Sequence, residues 1–276
     1  MPSASMRAIT QAGGLELLVE RATGERRRAS LLFIHGINVG AWVWQEHFLP
    51  YFAGVGFDCY ALSLRGHGES DGRERIRDWS LADYVADVTA AVRQIEGPLI
   101  LIGHSMGGAV VQRYIREGGR ADGMALLTSV PPWGMAPSAI AVAMTRPNLF
   151  LKLSSMLSGT IPQLDRSTLH EVLFSPDAPT ALLDAFADRA GPESPKVAAG
   201  IQGLPPIAPW PWQSLPTFVL GAANDRLIPT GEISRTALYY GCRAEIVPEL
   251  AHAVMVEPRW AEAARCLHAW LGKTAS

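Results

Sequence analysis

Residues 99 to 110 read "LILIGHSMGGAV": four aliphatic residues run into Gly103-His104-Ser105-Met106-Gly107, and small residues follow. A short, continuous apolar run closed by glycine predicts a strand buried on both faces, and strands of that kind belong to parallel sheets covered by helices. A serine flanked two residues away on each side by glycine predicts a sharp strand-to-helix turn. The chain can fold back on itself there only if the neighbours are small.

The rest of the chain repeats this grammar. Short apolar runs at "LLFIHG", "FDCYALSL", "MALLTSV", "PTFVLGA" and "AEIVPEL" alternate with amphipathic segments, and an opening hairpin is expected from Arg7–Thr10 and Leu15–Glu20 around Gly13-Gly14. Expected helices are Trp42–Ala53, Ser80–Ile95 with Ser80 as N-cap, Met106–Glu117, Ile233–Tyr239, and Pro258–Leu271 with Pro258 at its first position. The fold expected is α/β: a mostly parallel eight-stranded sheet with right-handed crossovers and helices on both faces. A chain of 276 residues with 48% hydrophobic content is long enough for one large core plus an insertion.

The insertion is expected at residues 131–215, leaving 1–130 and 216–276 as the core. Across that block strand-like runs give way to helical apolar segments broken by prolines, with stiff punctuation at Pro131-Pro132-Trp133 and Pro209–Trp212. These ends are the expected hinges of a helical lid. The block carries three of eight methionines and three of eight tryptophans, which predicts an apolar pocket beneath it. Trp133, Met135 and Met144 are the candidate substrate contacts, although the same residues would serve equally to cement the block to the core.

Charge and cysteine usage exclude several other roles. With 24 basic and 26 acidic residues the net charge is −2, so no electrostatic footprint for nucleic acid or an anionic membrane is present. The N-terminal "MPSASMRAIT" lacks the apolar core of a secretory signal, and no apolar run approaches the roughly 20 residues that cross a bilayer. A soluble, cytoplasmic protein is expected, without stable membrane insertion. Cys59, Cys242 and Cys266 are far apart, form no C-x-x-C pair and have no histidine at metal-ligand spacing, so they read as small hydrophobes rather than a redox or zinc site.

The pattern G-x-S-x-G gains meaning from the strand before it and the helix after it. On such a turn the serine hydroxyl projects above the C-terminal edge of the sheet, where open α/β sheets place their ligands, beside the N–H groups of a helix N-terminus. A serine nucleophile needs a base, and the base needs an orienting acid. "PTFVLGAANDRLIP" presents Asp225 just past one strand end, and "AEIVPELAHAVMVEP" presents His252 just past the last. His47 and His268 fall in expected helices and His170 in the block at 131–215. His104 should point sideways into the protein, and His67 reads as a loop-ordering residue. Among the acids Asp71 remains open beside Asp225. For a developing oxyanion the donors are the backbone N–H groups of Met106 and of Ile37, the latter aimed by the turn at His35-Gly36.

Taken together, "HGINVGAWVWQ", "SLRGHGESDG", "GHSMGG", "GAANDRLIP" and "AHAVMVEP" resemble the α/β-hydrolase fold superfamily, in its order, over nearly the whole chain. "GHSMGG" and the ending H-x-x-M-x-E-P are similar to serine carboxylesterases, monoacylglycerol lipases and lysophospholipases. The resemblance implies Ser105 as nucleophile, His252 as base, Asp225 as acid, the Ile37 and Met106 amides as oxyanion hole, and no cofactor or metal. It also implies a small hydrophobic ester as substrate. The glycine frequent before the family's catalytic histidine is Ala251 here, and the serine at 105 sets the chain apart from the dehalogenase and epoxide hydrolase branches, which use aspartate. Fold does not decide substrate. A C–C bond, a lactone or a thioester is open to the same residues, and a ligand-binding receptor with little turnover is the remaining alternative.

Overall fold

The computed structural model describes residues 14–145, 147–157, 166–204, 206–210, 213 and 215–274. Its strands are β1 (Leu17–Glu20), β2 (Ser30–Ile34), β3 (Asp58–Leu62), β4 (Leu99–His104), β5 (Gly123–Leu127), β6 (Thr217–Ala222) and β7 (Ala244–Val247). They form one sheet in the order β1-β3-β2-β4-β5-β6-β7, in which β1 runs antiparallel to β3 and every other pairing is parallel. Seven strands are thus seen among the described residues. The expected eighth, Arg7–Thr10, lies outside them.

Period-2 alternation along β2 explains why parallel strands read as continuous apolar runs. Leu31 and Phe33 enter one core with Trp44, Phe48, Phe52, Leu267 and Leu271, while Leu32 and Ile34 enter another with Tyr84, Val88, Val110 and Ile233. The first core is built on an aromatic cluster, with the Phe33 ring 5.0 Å from Trp44 and 5.9 Å from Phe52. Burying each such side chain contributes about 1.5–3 kcal/mol before ordering costs.

The flanking helices are α1 (Trp42–Gln45), α2 (Phe48–Gly54), α3 (Leu81–Val92), α4 (Met106–Arg116), α10 (Thr230–Tyr239) and α11 (Trp260–Thr274). Ser80 caps α3 in a capping box with Asp83, as its sequence position predicts. Two expectations are corrected. The helix expected at Trp42–Ala53 is broken between Gln45 and Phe48, where His47 takes the non-helical φ of −122°. The last helix begins at Trp260, so Pro258 lies outside it rather than at its first position.

Between β5 and β6 come α5 (Ala136–Thr145), α6 (Pro147–Leu157), α7 (Arg166–Leu173), α8 (Thr180–Arg189) and α9 (Pro195–Gly200). The sheet's contribution to a site follows from its parallel register. Ile34 pairs with Gly103, His104 with Leu127, Leu127 with Leu220 and Ala222 with Val247, so the loops after β2, β4, β5, β6 and β7 emerge along one edge.

Candidate active site

Ser105 occupies the turn between β4 and α4 at φ 52° and ψ −119°, a conformation that non-glycine residues seldom keep without support. Its backbone is over-determined: the N–H donates to Leu127 O at 3.1 Å, and its carbonyl accepts from Gly108 at 3.0 Å and Val130 at 3.2 Å. The flanking glycines are there because the backbone comes too close for a side chain. A Cβ on Gly103 would lie 2.6 Å from Gly107 O, and one on Gly107 would lie 2.3 Å from Ile34 O.

Asp225 follows β6, buried, with Oδ1 accepting from Leu227 N–H at 2.8 Å and Ile228 N–H at 3.0 Å. Its Oδ2 accepts from His252 Nδ1 at 2.8 Å. Because a carboxylate oxygen only accepts, Nδ1 carries a proton, so the neutral tautomer of this ring has its lone pair on the opposite nitrogen, Nε2. The His252 carbonyl is held in turn by His104 Nε2–H at 2.9 Å and Thr128 Oγ1–H at 3.0 Å. Burial, and then the neighbouring His252, push His104 well below its usual 6.5, so this second histidine stays neutral and serves as a strut.

Ile37 follows the end of β2. His35 Nδ1 donates to Gly36 O at 2.7 Å, and in a trans peptide the next N–H points the opposite way, so this bond sets the direction of the Ile37 amide. His35 Nε2 accepts from Leu64 N–H at 3.0 Å, which requires a neutral ring, and burial lowers its pKa to about 3. The Met106 amide opens α4, where helix geometry supplies no acceptor for it.

Ser105, His252, His104 and Ile37 line one cavity of about 140 Å³. Its walls are otherwise mainly apolar, with Val39, Val43, Val130, Met255, Phe186 and Ile228 among them. Part of the wall comes from the stretch between β5 and β6: Met135, Ala139 and Val142, with Phe150 of α6 beside them. Of the three candidate substrate contacts, Met135 is therefore at the cavity. Trp133 and Met144 are not. The Trp133 indole N–H donates to Glu232 Oε2 at 3.0 Å, so this ring turns toward α10. Met144 is 81% exposed, two residues past Val142 and hence on the opposite face of α5.

The competing groups are placed elsewhere. Asp71 is exposed and outside the cavity wall. His47 stacks on Trp260 at 4.6 Å, His268 packs edge-on to Tyr51, and His170 Nε2 lies 3.1 Å from Ser175 O. Two buried carboxylates at this site went unremarked in sequence. Glu257 accepts from Ala251 N–H at 3.0 Å, one residue before His252, and from both the N–H (3.1 Å) and the hydroxyl of Ser175. The "VEP" ending carried a signal for it. Glu193 reaches the Ile37 loop from between α8 and α9, and no pattern marked it.

The profile of the alpha/beta hydrolase family matches residues 31–264. The chain belongs to that family. Over 231 residues it is 29% identical to the monoacylglycerol lipase of Mycolicibacterium smegmatis, covering 77% of each chain. A match to the non-heme chloroperoxidase of Streptomyces lividans is 35% identical over 112 residues and spans 40% of each chain. Among solved structures, a carboxylesterase linked to the archaeon Nitrososphaera gargenis has a TM-score of 0.70 at 18% identity, covering 98% of both chains. The esterase of Exiguobacterium antarcticum has a TM-score of 0.68 at 17% identity, covering 94% of this chain and 96% of its own. These structures share the alpha/beta hydrolase fold, and hydrolase chemistry is supported by membership of the family.

Proposed function

We propose that this alpha/beta hydrolase is a serine esterase that cleaves carboxylic esters of hydrophobic acyl groups through an acyl-enzyme on Ser105. The observation that carries the reading is the buried Asp225–His252 hydrogen bond of 2.8 Å, which fixes the His252 proton on Nδ1 at the cavity that Ser105 lines. His252 Nε2 takes the Ser105 proton as Oγ attacks the ester carbonyl carbon. The carbonyl π electrons move to oxygen, and the Ile37 and Met106 N–H groups hold that oxyanion. Collapse breaks the C–O bond to the alcohol, which leaves with the proton from His252. Water then repeats the attack on the acyl-enzyme, and His252 again relays the proton, releasing the acid and free Ser105.

On this reading residues 1–130 and 216–276 are the catalytic core, and 131–215 form a lid whose helices α5 and α6 roof the acyl pocket. The apolar wall supports a hydrophobic acyl group. Ser105→Ala is expected to lower hydrolysis of p-nitrophenyl butyrate at least about a thousandfold while the far-UV circular dichroism stays unchanged. Wild-type rates in that variant would overturn the mechanism.

A further inference from the structure

Glu193 is 1% exposed and takes no part in the reaction above. Its Oε1 accepts from Tyr84 Oη–H and from Ser194 N–H, each at 2.7 Å. Its Oε2 accepts from Asn38 N–H at 3.4 Å and faces His67 Nε2 at 3.2 Å. The other nitrogen of that ring, His67 Nδ1, lies 3.2 Å from Arg65 O. Nδ1 has a carbonyl oxygen to donate to, and Nε2, though not aligned for a hydrogen bond, lies beside a carboxylate oxygen as an ion-pair contact, so the surroundings of the ring favour its doubly protonated form. His35, with its ring 5.1 Å from His67, is fixed neutral by donating through one nitrogen and accepting through the other. Of the two rings, His67 is therefore the one placed to carry a positive charge.

What the pair holds is the residue after Ile37. Asn38 has a left-handed φ of 62° and is clasped from the β5–β6 segment: its Nδ2 donates to Gly191 O at 2.8 Å, and Gly191 N–H donates to Asn38 O at 2.8 Å. We propose that Glu193, paired with a His67 imidazolium, is a positioning residue that seats the Asn38 turn and so aims the Ile37 N–H at the oxyanion. The inference rests on the serine-esterase reading, and it ties the seating of the β5–β6 segment to the quality of the oxyanion hole.

Titration sharpens the expectation. Burial works against the His67 charge, but the facing Glu193 outweighs it and holds His67 above its usual 6.5. Burial likewise opposes the Glu193 carboxylate, which His67 and its hydrogen bonds hold below the usual 4.5. The groups facing the pair are His35 after β2, Tyr84 of α3 and Arg73 in the 3-10 turn at Arg73–Asp78, with the Arg65–Asp87 pair beyond Tyr84. Glu16, across Gly68, is occupied by Ser63 Oγ–H at 2.6 Å and Glu69 N–H at 3.0 Å. The pair's contribution is therefore complete below the usual histidine value of 6.5 and is lost as pH rises through the raised His67 value.

The test measures kcat and KM of the full chain on p-nitrophenyl butyrate from neutral to alkaline pH, with fluorophosphonate labelling of Ser105 read alongside. Glu193→Gln keeps the shape and removes the charge. It is expected to lower kcat about tenfold to a hundredfold, leave KM within about twofold, and abolish the decline of kcat with rising pH that is expected of the wild-type chain. Unchanged kcat, or a retained decline, overturns the inference while Ser105 labelling leaves the esterase reading standing. Loss of labelling in the wild-type chain overturns both. If Glu193→Gln does not fold, His67→Gln replaces it, with the same kcat loss and the same missing decline expected; a wild-type pH profile in that variant overturns the proposal.

Discussion

At position 107 a methyl group would sit 2.3 Å from the Ile34 carbonyl oxygen and 2.5 Å from that of His35, both backbone atoms at the end of a central strand. Neither can retreat without breaking the β2–β4 ladder that continues up to Gly103. Gly107→Ala is therefore expected to destabilise the fold by about 3 kcal/mol, read from the urea unfolding midpoint, with ester hydrolysis falling alongside. An unchanged midpoint would show that the elbow yields more than its packing implies. This requirement could be read from the sequence, because a serine turn without bulk on either side follows from the spacing alone. What spacing could not show is the identity of the obstructing atoms. Nor could it show that His104 would hold the His252 carbonyl at 2.9 Å, a contact across 148 residues of chain.

Between elements, two buried carboxylates act as clasps. Glu193 ties the loop before α9 to the Asn38 turn, and Glu257 ties Ser175, just after α7, to Ala251 in the loop that carries His252. Ala253 N–H adds a bond to Leu173 O at 2.9 Å. The α7–α9 half of the β5–β6 segment is thereby attached to two loops of the site, so a swing of the whole block about its flanking prolines would break both clasps. Glu257→Ala would leave the Ala251 and Ser175 N–H groups buried without their acceptor. Unfolding free energy is expected to fall by about 3 kcal/mol and kcat/KM to fall with it, as thermal melts and ester kinetics would show. Equal Tm values for variant and wild type would refute the clasp. The helices themselves were legible from apolar periodicity and proline punctuation. Their rotation was not, since composition placed Met144 under the block while its position on α5 puts it on the outer face.

Across the whole molecule, the shared edge of the site loops follows from strand–helix alternation and parallel register, which is why Ser105, Asp225 and His252 could be nominated from strand ends, whereas the strand order could not be read from the sequence. The interior of the cavity could not be read that way, because it depends on which faces of α5 and α6 meet the loops after β2, β4 and β7. Ala139, Val142, Phe150 and Phe186 make its wall apolar, so on the proposed esterase reading acyl carbons would gain by leaving water there. Each methylene buried there is worth about 0.8 kcal/mol, or roughly fourfold in kcat/KM if it is realised in the transition state. Along a p-nitrophenyl series, kcat/KM is therefore expected to climb from acetate through butyrate to hexanoate and to level off once the chain outgrows the enclosed space. A flat series, or a maximum at acetate, would mean that the apolar wall serves to pack the β5–β6 segment onto the core and that substrate is chosen elsewhere.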